Sequence, residues 1–171
     1  MNFNLTAFTL FHVAISLTGI ASGLVVAYGM LGARRLDGWT VLFLATTVAT
    51  SVTGFLFPFQ KLMPSHVVGA VSLLVLPLAL YARYGRDLAG RWRATYVLAA
   101  LFALYLNVFV LVAQAFQKVP ALKALAPTQS EPPFALAQLV VLAGFAALTV
   151  AALIRFRPER LSIENLSVQV A

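Results

Sequence analysis

The chain has 171 residues, of which 61% are hydrophobic and only 10% charged, and its mean hydropathy is +0.93. A soluble domain carries about a quarter charged residues, so this composition excludes a soluble globular protein and points to an integral membrane protein. A net charge of +7 would suit a nucleic-acid partner, but the basic residues border apolar stretches instead of interleaving with exposed aromatics, so they read as topology signals and contacts to anionic lipid of the bilayer, with no nucleic acid.

A helix that crosses a bilayer needs about 20 apolar residues, and five stretches meet that length or nearly so. The first covers about 7–32 and lacks the positively charged start of a signal peptide, so it reads as a retained span. The second covers 39–59 after a short connector, and the third covers 63–83 after another, which makes these three spans antiparallel neighbours. Pro77 lies in the middle of the third and should kink it and free the Leu73 carbonyl. The fourth covers 95–116. The longest loop, 117–133, follows with four prolines; its segment 121–126 fits a short amphipathic turn, and the loop is long enough either to fold over a polar cluster as a lid or to serve as a solvated connector. The fifth span covers 134–154, and the polar tail, 155–171, should fray. With zero cysteines, disulfides, thiolate metal sites and a cysteine nucleophile are all excluded.

Short cytoplasmic loops carry the excess of Lys and Arg. Lys61, Lys118 and Lys123 give one set of alternate loops three positive charges, whereas Arg34, Arg35, Arg83, Arg86, Arg91, Arg93, Arg155, Arg157 and Arg160 give the other set nine. The expected fold is therefore all-α, a polytopic membrane helix bundle with five transmembrane helices, the N-terminus outside and the C-terminus cytoplasmic. Residues 1–154 form the bundle and 155–171 a cytoplasmic tail.

Depth then follows from the rise of 1.5 Å per residue. His12 falls roughly 8 Å below the outer boundary and His66 within about 5 Å of it. Gln60, Gln114 and Gln138 also sit near outer helix ends, with Thr50, Ser51, Thr53 and Asn107 somewhat deeper. Helical periodicity gives each span a small or polar face: His12, Ser16, Gly19, Gly23 and Ala27 on the first, Thr46, Thr50, Thr53, Phe57 and Gln60 on the second. On the third it groups His66, Gly69, Ala70, Leu73 and Pro77. Tyr96, Ala100, Ala103, Asn107 and Gln114 align on the fourth, and Gln138, Phe145 and Thr149 on the fifth. Gly19 and Gly23 have the small-xxx-small spacing that lets helices approach closely.

No Asp, Glu, Lys or Arg lies inside a span, which argues against a proton- or sodium-coupled transporter. Hydrolytic signatures such as G-x-S-x-G and H-E-x-x-H are absent, and Ser65 beside His66 is adjacency in sequence only. Two histidines on different helices at similar depth match the axial ligands of a six-coordinate haem b. The same parts, with Asn107 and Gln138 as secondary polar contacts, suit a quinone. Met63 and His66 at i and i+3, with His12, would suit Cu(I), whereas zinc lacks the third and fourth ligands it needs. The plainer alternative is that each histidine hydrogen-bonds a neighbouring helix. The chain is therefore expected to be a membrane electron-transfer protein with a haem b or quinone site at His12 and His66. The runner-up is a non-catalytic accessory or assembly subunit working with other membrane subunits, and third comes a passive carrier of a small neutral solute.

Three stretches, Gly29 through Arg34-Arg35-Leu36-Asp37-Gly38, Thr50-Ser51-Val52-Thr53-Gly54, and Pro64-Ser65-His66-Val67-Val68-Gly69-Ala70-Val71-Ser72-Leu73, make the first half of the chain similar to small uncharacterised bacterial multi-pass membrane proteins of the domain-of-unknown-function type. The resemblance implies a bacterial inner-membrane location and a four-to-five-helix bundle, and it transfers no activity. A looser similarity to membrane b-type cytochromes rests on the histidines alone; a di-haem cytochrome of that kind needs four, so two leave room for one bis-histidine haem.

Overall fold

Lipid offers no hydrogen-bond partners, so a chain this apolar must satisfy its backbone internally, which a helix does within one segment. The computed structural model describes residues 5–57 and 64–157, and 85% of them are helical, with no strand. The helices are α1 (Leu5–Leu31), α2 (Asp37–Gly54), α3 (Pro64–Leu80), α4 (Arg91–Lys118), the short α5 (Pro120–Leu125) and α6 (Pro132–Arg155). Four of them, α1, α3 with its extension to Gly85, α4 and α6, are long and apolar enough to cross a membrane. The second helix is less apolar because its 18 residues include five threonines and a serine. It begins two residues before the expected stretch, with Asp37 in its first turn, where a carboxylate favours the helix dipole. It stops at Gly54. The expected residues Phe59, Gln60, Lys61 and Met63, and the tail from 158, fall outside the described residues.

The first two helices pack antiparallel in a register that five close approaches define. His12 meets Thr53, Ser16 meets Thr50, Gly19 faces Thr46 and Thr47, Gly23 faces Phe43, and Gly29 faces Leu36. A Cβ on Gly23 would lie 2.6 Å from Leu104 Cδ1 and 2.9 Å from the Phe43 ring, so only glycine allows α1 to approach α2 and α4 this closely. α2 packs on α3, α3 on α4, and α4 back on α1, closing a ring of four, while α6 lies along α4 and touches α1. Ring pairs mark the α4–α6 seam from end to end: Phe116 with Phe134, Tyr105 with Phe145, and Tyr96 with Phe156.

The alternation of the long helices sorts the loops onto two ends. One carries Arg34, Arg35, Arg83, Arg86, Arg91, Arg93, Arg155 and Arg157; the other carries His12, His66, Lys118 and Lys123. The arginine end holds the dense core, where Val26, Met30, Phe43, Leu76, Val97, Leu101, Leu104 and Phe156 interlock. Since lipid is as apolar as these side chains, their attraction is dispersion and close fit more than exclusion of water.

The third helix departs from the expected face. His66, Ser72, Leu76 and Ala79 are buried, whereas Ala70 and Pro77 face outward. Four residues after Pro77 the helix widens into a π-turn, Tyr81–Gly85, closed by Arg86 N donating to Tyr81 O at 2.9 Å. Within this turn Arg83 is only 1% exposed. Its Nη2 donates to Asp37 and, at 3.1 Å, to the Arg35 carbonyl, and its guanidinium lies over the Tyr96 ring at 5.5 Å. Arg35 in turn pairs with Asp87. Arg93 donates to the carbonyls of Leu153 at 3.0 Å and Phe156 at 2.6 Å, satisfying the C-terminal end of α6. The arginines of 83–93, expected to mark topology and touch lipid phosphate, thus include two that tie helix ends together.

Asp87 has a carboxyl held below its ordinary value, first by the hydrogen bond from Arg35 and then by the Arg35 charge. A depressed folded value means that its stabilising contribution is present above the unfolded carboxylate value of 3.8 and is lost as pH falls through the folded one. Asp37→Asn leaves the buried Arg83 without its counter-charge and should cost about 1–3 kcal/mol. Thermal unfolding in detergent should show this loss at neutral pH, and acid-induced destabilisation below about pH 4 should be smaller in Asp87→Asn than in the wild type.

Candidate functional site

Packing is tight at the arginine end and opens at the other, where a cavity of about 690 Å³ lies among α1, α2, α3 and α4. This is within the range of about 300–1,000 Å³ typical of small-molecule sites. His12 borders it from α1 and His66 from α3; Thr50, Ser51, Phe55 and Phe57 border it from α2 and the residues just after, and Asn107, Gln114 and Lys118 from α4. Leu5, Val13 and Leu17 of α1, Leu111 of α4 and Phe55 after α2 line the same cavity and are also exposed, so its rim reaches the outer surface of the bundle, including the apolar side between α1 and α4. Below Ile20 and Asn107 the apolar core closes it.

The chemistry of His12 is set by the hydroxyl beside it. Its Nδ1 lies 2.8 Å from Thr53 Oγ1, while Thr53 gives its own proton to the Ala49 carbonyl at 2.7 Å. A hydroxyl has one proton, so Thr53 accepts from His12, which places the imidazole proton on Nδ1 and the lone pair on Nε2. The Phe57 ring meets this imidazole edge-on, 5.1 Å between centroids at 88°. His66, 6% exposed, stands in the first turn of α3 with its ring 5.9 Å from that of Phe55. Gly69, one turn on, leaves room for Phe55, since a Cβ there would lie 3.2 Å from the ring.

The two serines of the cavity on α1 and α2 spend their protons within their own helices. Ser16 donates to the His12 carbonyl at 2.7 Å and Ser51 to the Thr47 carbonyl at 2.9 Å, back-bonds typical of serine within a helix. They present oxygen lone pairs inward, so the donors available to a ligand from α4 are the amides of Asn107 and Gln114 and the Lys118 ammonium. Asn107 also spends one N–H on Thr47 Oγ1 at a long 3.4 Å.

Gln138 falls elsewhere. Its Nε2 donates to the Phe109 carbonyl at 3.1 Å, and α4 stands between it and the cavity, to which α6 contributes nothing. The expectation had the depth right but not the direction. Lys118 is the opposite case: it counts as a loop charge in the sequence yet lines the cavity, and its position four residues after Gln114 on the face of Asn107 and Leu111 is the signal that points there.

A lid over the cavity is not formed by the long loop. None of residues 119–131 borders it. Gln129, in the left-handed region at φ 61°, turns its amide onto α4, donating to the Ala113 carbonyl at 2.6 Å and accepting from Gln117 at 3.1 Å. Glu131 accepts from Thr128 and from the Ser130 amide, closing the turn before α6. The loop clasps the end of α4 and, exposed along most of its length, is a solvated connector and not a lid.

Among the described residues no three His, Cys, Asp or Glu side chains come together. Met63, considered above as a copper ligand, lies outside the described residues. Comparison with known protein families, curated proteins and solved structures returned no match.

The absence of native cysteine makes the α1–α2 register directly testable. Ser16 Oγ and Thr50 Oγ1 are 3.4 Å apart, so a Ser16→Cys, Thr50→Cys pair should oxidise readily and lose both free thiols to a mild oxidant, as counted by maleimide-polymer mobility. A pair that stays reduced while each single cysteine reacts normally would refute the register.

Proposed function

We propose that this protein is a five-span bundle of the bacterial inner membrane, N-terminus outside, whose outer-side cavity binds a haem b for membrane electron transfer. The observation that carries the ligand is the pair of histidines on different helices bordering one cavity, with the His12 lone pair left on Nε2 by the Thr53 bond. A histidine that ligates a metal almost always donates its other ring N–H to an oxygen, which orients the ring and raises its basicity. His12 is held in that way before any ligand arrives. His66 would be the second side chain to hold the haem, and Phe55 and Phe57 would supply flat apolar walls. When bound, the haem iron supplies one-electron chemistry, while the protein holds, orients and shields it.

The five-span topology is supported by the antiparallel packing of α2 between α1 and α3 and by the crowding of arginine at one end of the bundle. In cells expressing single-cysteine variants, a membrane-impermeant maleimide should label Ala124→Cys on α5 and leave Ala89→Cys untouched. The reverse pattern would invert the topology.

A quinone is the other occupant that the same atoms favour, since Asn107 can donate to one of its carbonyls and, in the reduced quinol form, the His12 lone pair can accept a hydroxyl proton. The reading as an accessory subunit has its own support: of the 24 residues of α6 only Gln138 and Ala152 are buried, which leaves a broad face for a partner helix.

The deciding measurement is a visible spectrum of the detergent-purified protein supplied with haem, oxidised and dithionite-reduced. A Soret band with sharp reduced α and β bands is expected in the wild type and not in His12→Ala or His66→Ala. Thr53→Val should keep the fold and weaken haem binding about tenfold or more. A wild type that takes up no haem rejects this reading and shifts the weight to the quinone.

A further inference from the structure

Lys118 is the one charged side chain among the described residues that line the cavity. It ends α4 at the histidine end, one turn beyond Gln114. No ion pair among the described residues includes it: Asp37 and Asp87 are at the arginine end with Arg35 and Arg83, and Glu131 is occupied by Thr128 and Ser130. A cation without a counter-charge at the mouth of an apolar cavity draws an anion to that mouth, and at the level of the membrane interface the attraction is less screened than in bulk water. The rest of the cavity is built for something apolar, and its rim between α1 and α4 faces lipid.

From this geometry we infer that the ligand carries a carboxylate on an apolar body, reaches the cavity sideways from the bilayer between α1 and α4, and seats its carboxylate on Lys118. The inference rests on the cavity being a ligand site, as proposed above, but not on the ligand being haem. Two sources share this chemistry: the propionate of a haem and the head of a free long-chain fatty acid. Gln114, beneath Lys118 on the same face, is placed to donate a second hydrogen bond to the carboxylate, while His12 and Ser16, farther in, turn lone pairs to the cavity and favour an anion staying at the Lys118 end.

The test uses the full chain in nanodiscs of zwitterionic phosphatidylcholine, with empty nanodiscs as the partition control, and two probe pairs. One is haem against haem dimethyl ester, read at the Soret band; the other is a fluorescent polyene fatty acid against its methyl ester. The acid of at least one pair should bind about tenfold more tightly than its ester, and that preference should vanish in Lys118→Gln and persist in Lys118→Arg. Because Lys118 is exposed and makes no hydrogen bond, Lys118→Gln should unfold at the wild-type temperature, so a lost preference reports the ligand and not the fold. A preference seen with haem assigns the propionate. A preference seen only with the fatty acid sustains the inference and overturns the haem reading. Equal binding of acid and ester in both pairs, no binding of any probe, or a preference that survives in Lys118→Gln overturns the inference.

Discussion

The close approach of α1 and α2 is the constraint from which the rest of the architecture follows. Gly19 and Gly23 remove side-chain bulk along one face of α1, and α2 answers with threonines and Phe43, so the two helices interlock in one register. That register puts Thr53 beside His12 at one end and brings the connector with Arg35 and Asp37 against the end of α3 at the other. A shift of one helical turn would separate His12 from the hydroxyl that sets its tautomer and Arg83 from its carboxylate together. The histidine end and the arginine end are coupled through a helix pair that has little freedom to slide.

The bundle divides its two halves between different tasks. Near the arginines, large apolar side chains and the buried guanidinium lock four segments, and the cation there is neutralised within the protein. Near the histidines, the helices spread, and Ser16, Ser51 and Thr53 commit their protons to helix carbonyls while the α4 amides and Lys118 keep donors for the cavity. Rigid packing on one side lets the other remain open without collapsing, since the angles at which the helices splay are fixed where they touch.

Much of this was legible in the sequence, because length, hydropathy and charge act on whole segments. The apolar stretches become helices within a few residues of their expected limits, and the polar residues gather at one end as their depth implied. What was not legible depends on rotation about a helix axis. Gln138 lies at the right depth but on the far side of α4, and the buried face of α3 includes Ser72 and Leu76 where periodicity from His66 favoured Ala70 and Pro77. Arg83 was hidden for a related reason: a π-turn shifts the phase of the residues that follow, and its partner Asp37 is 46 positions away. The long loop was legible only in part because its prolines suggest no more than that helix stops; the clasp made by Gln129 depends on one backbone angle that composition does not encode.

Among the described residues, every wall of the cavity comes from positions up to Lys118, and α6, lying along the far side of α4, supplies none of them. Since a chain emerges from the ribosome N-terminus first, these walls are made before α6. Shaping the cavity and adding α6 are therefore separable in time, and α6 joins helices that already carry the described walls.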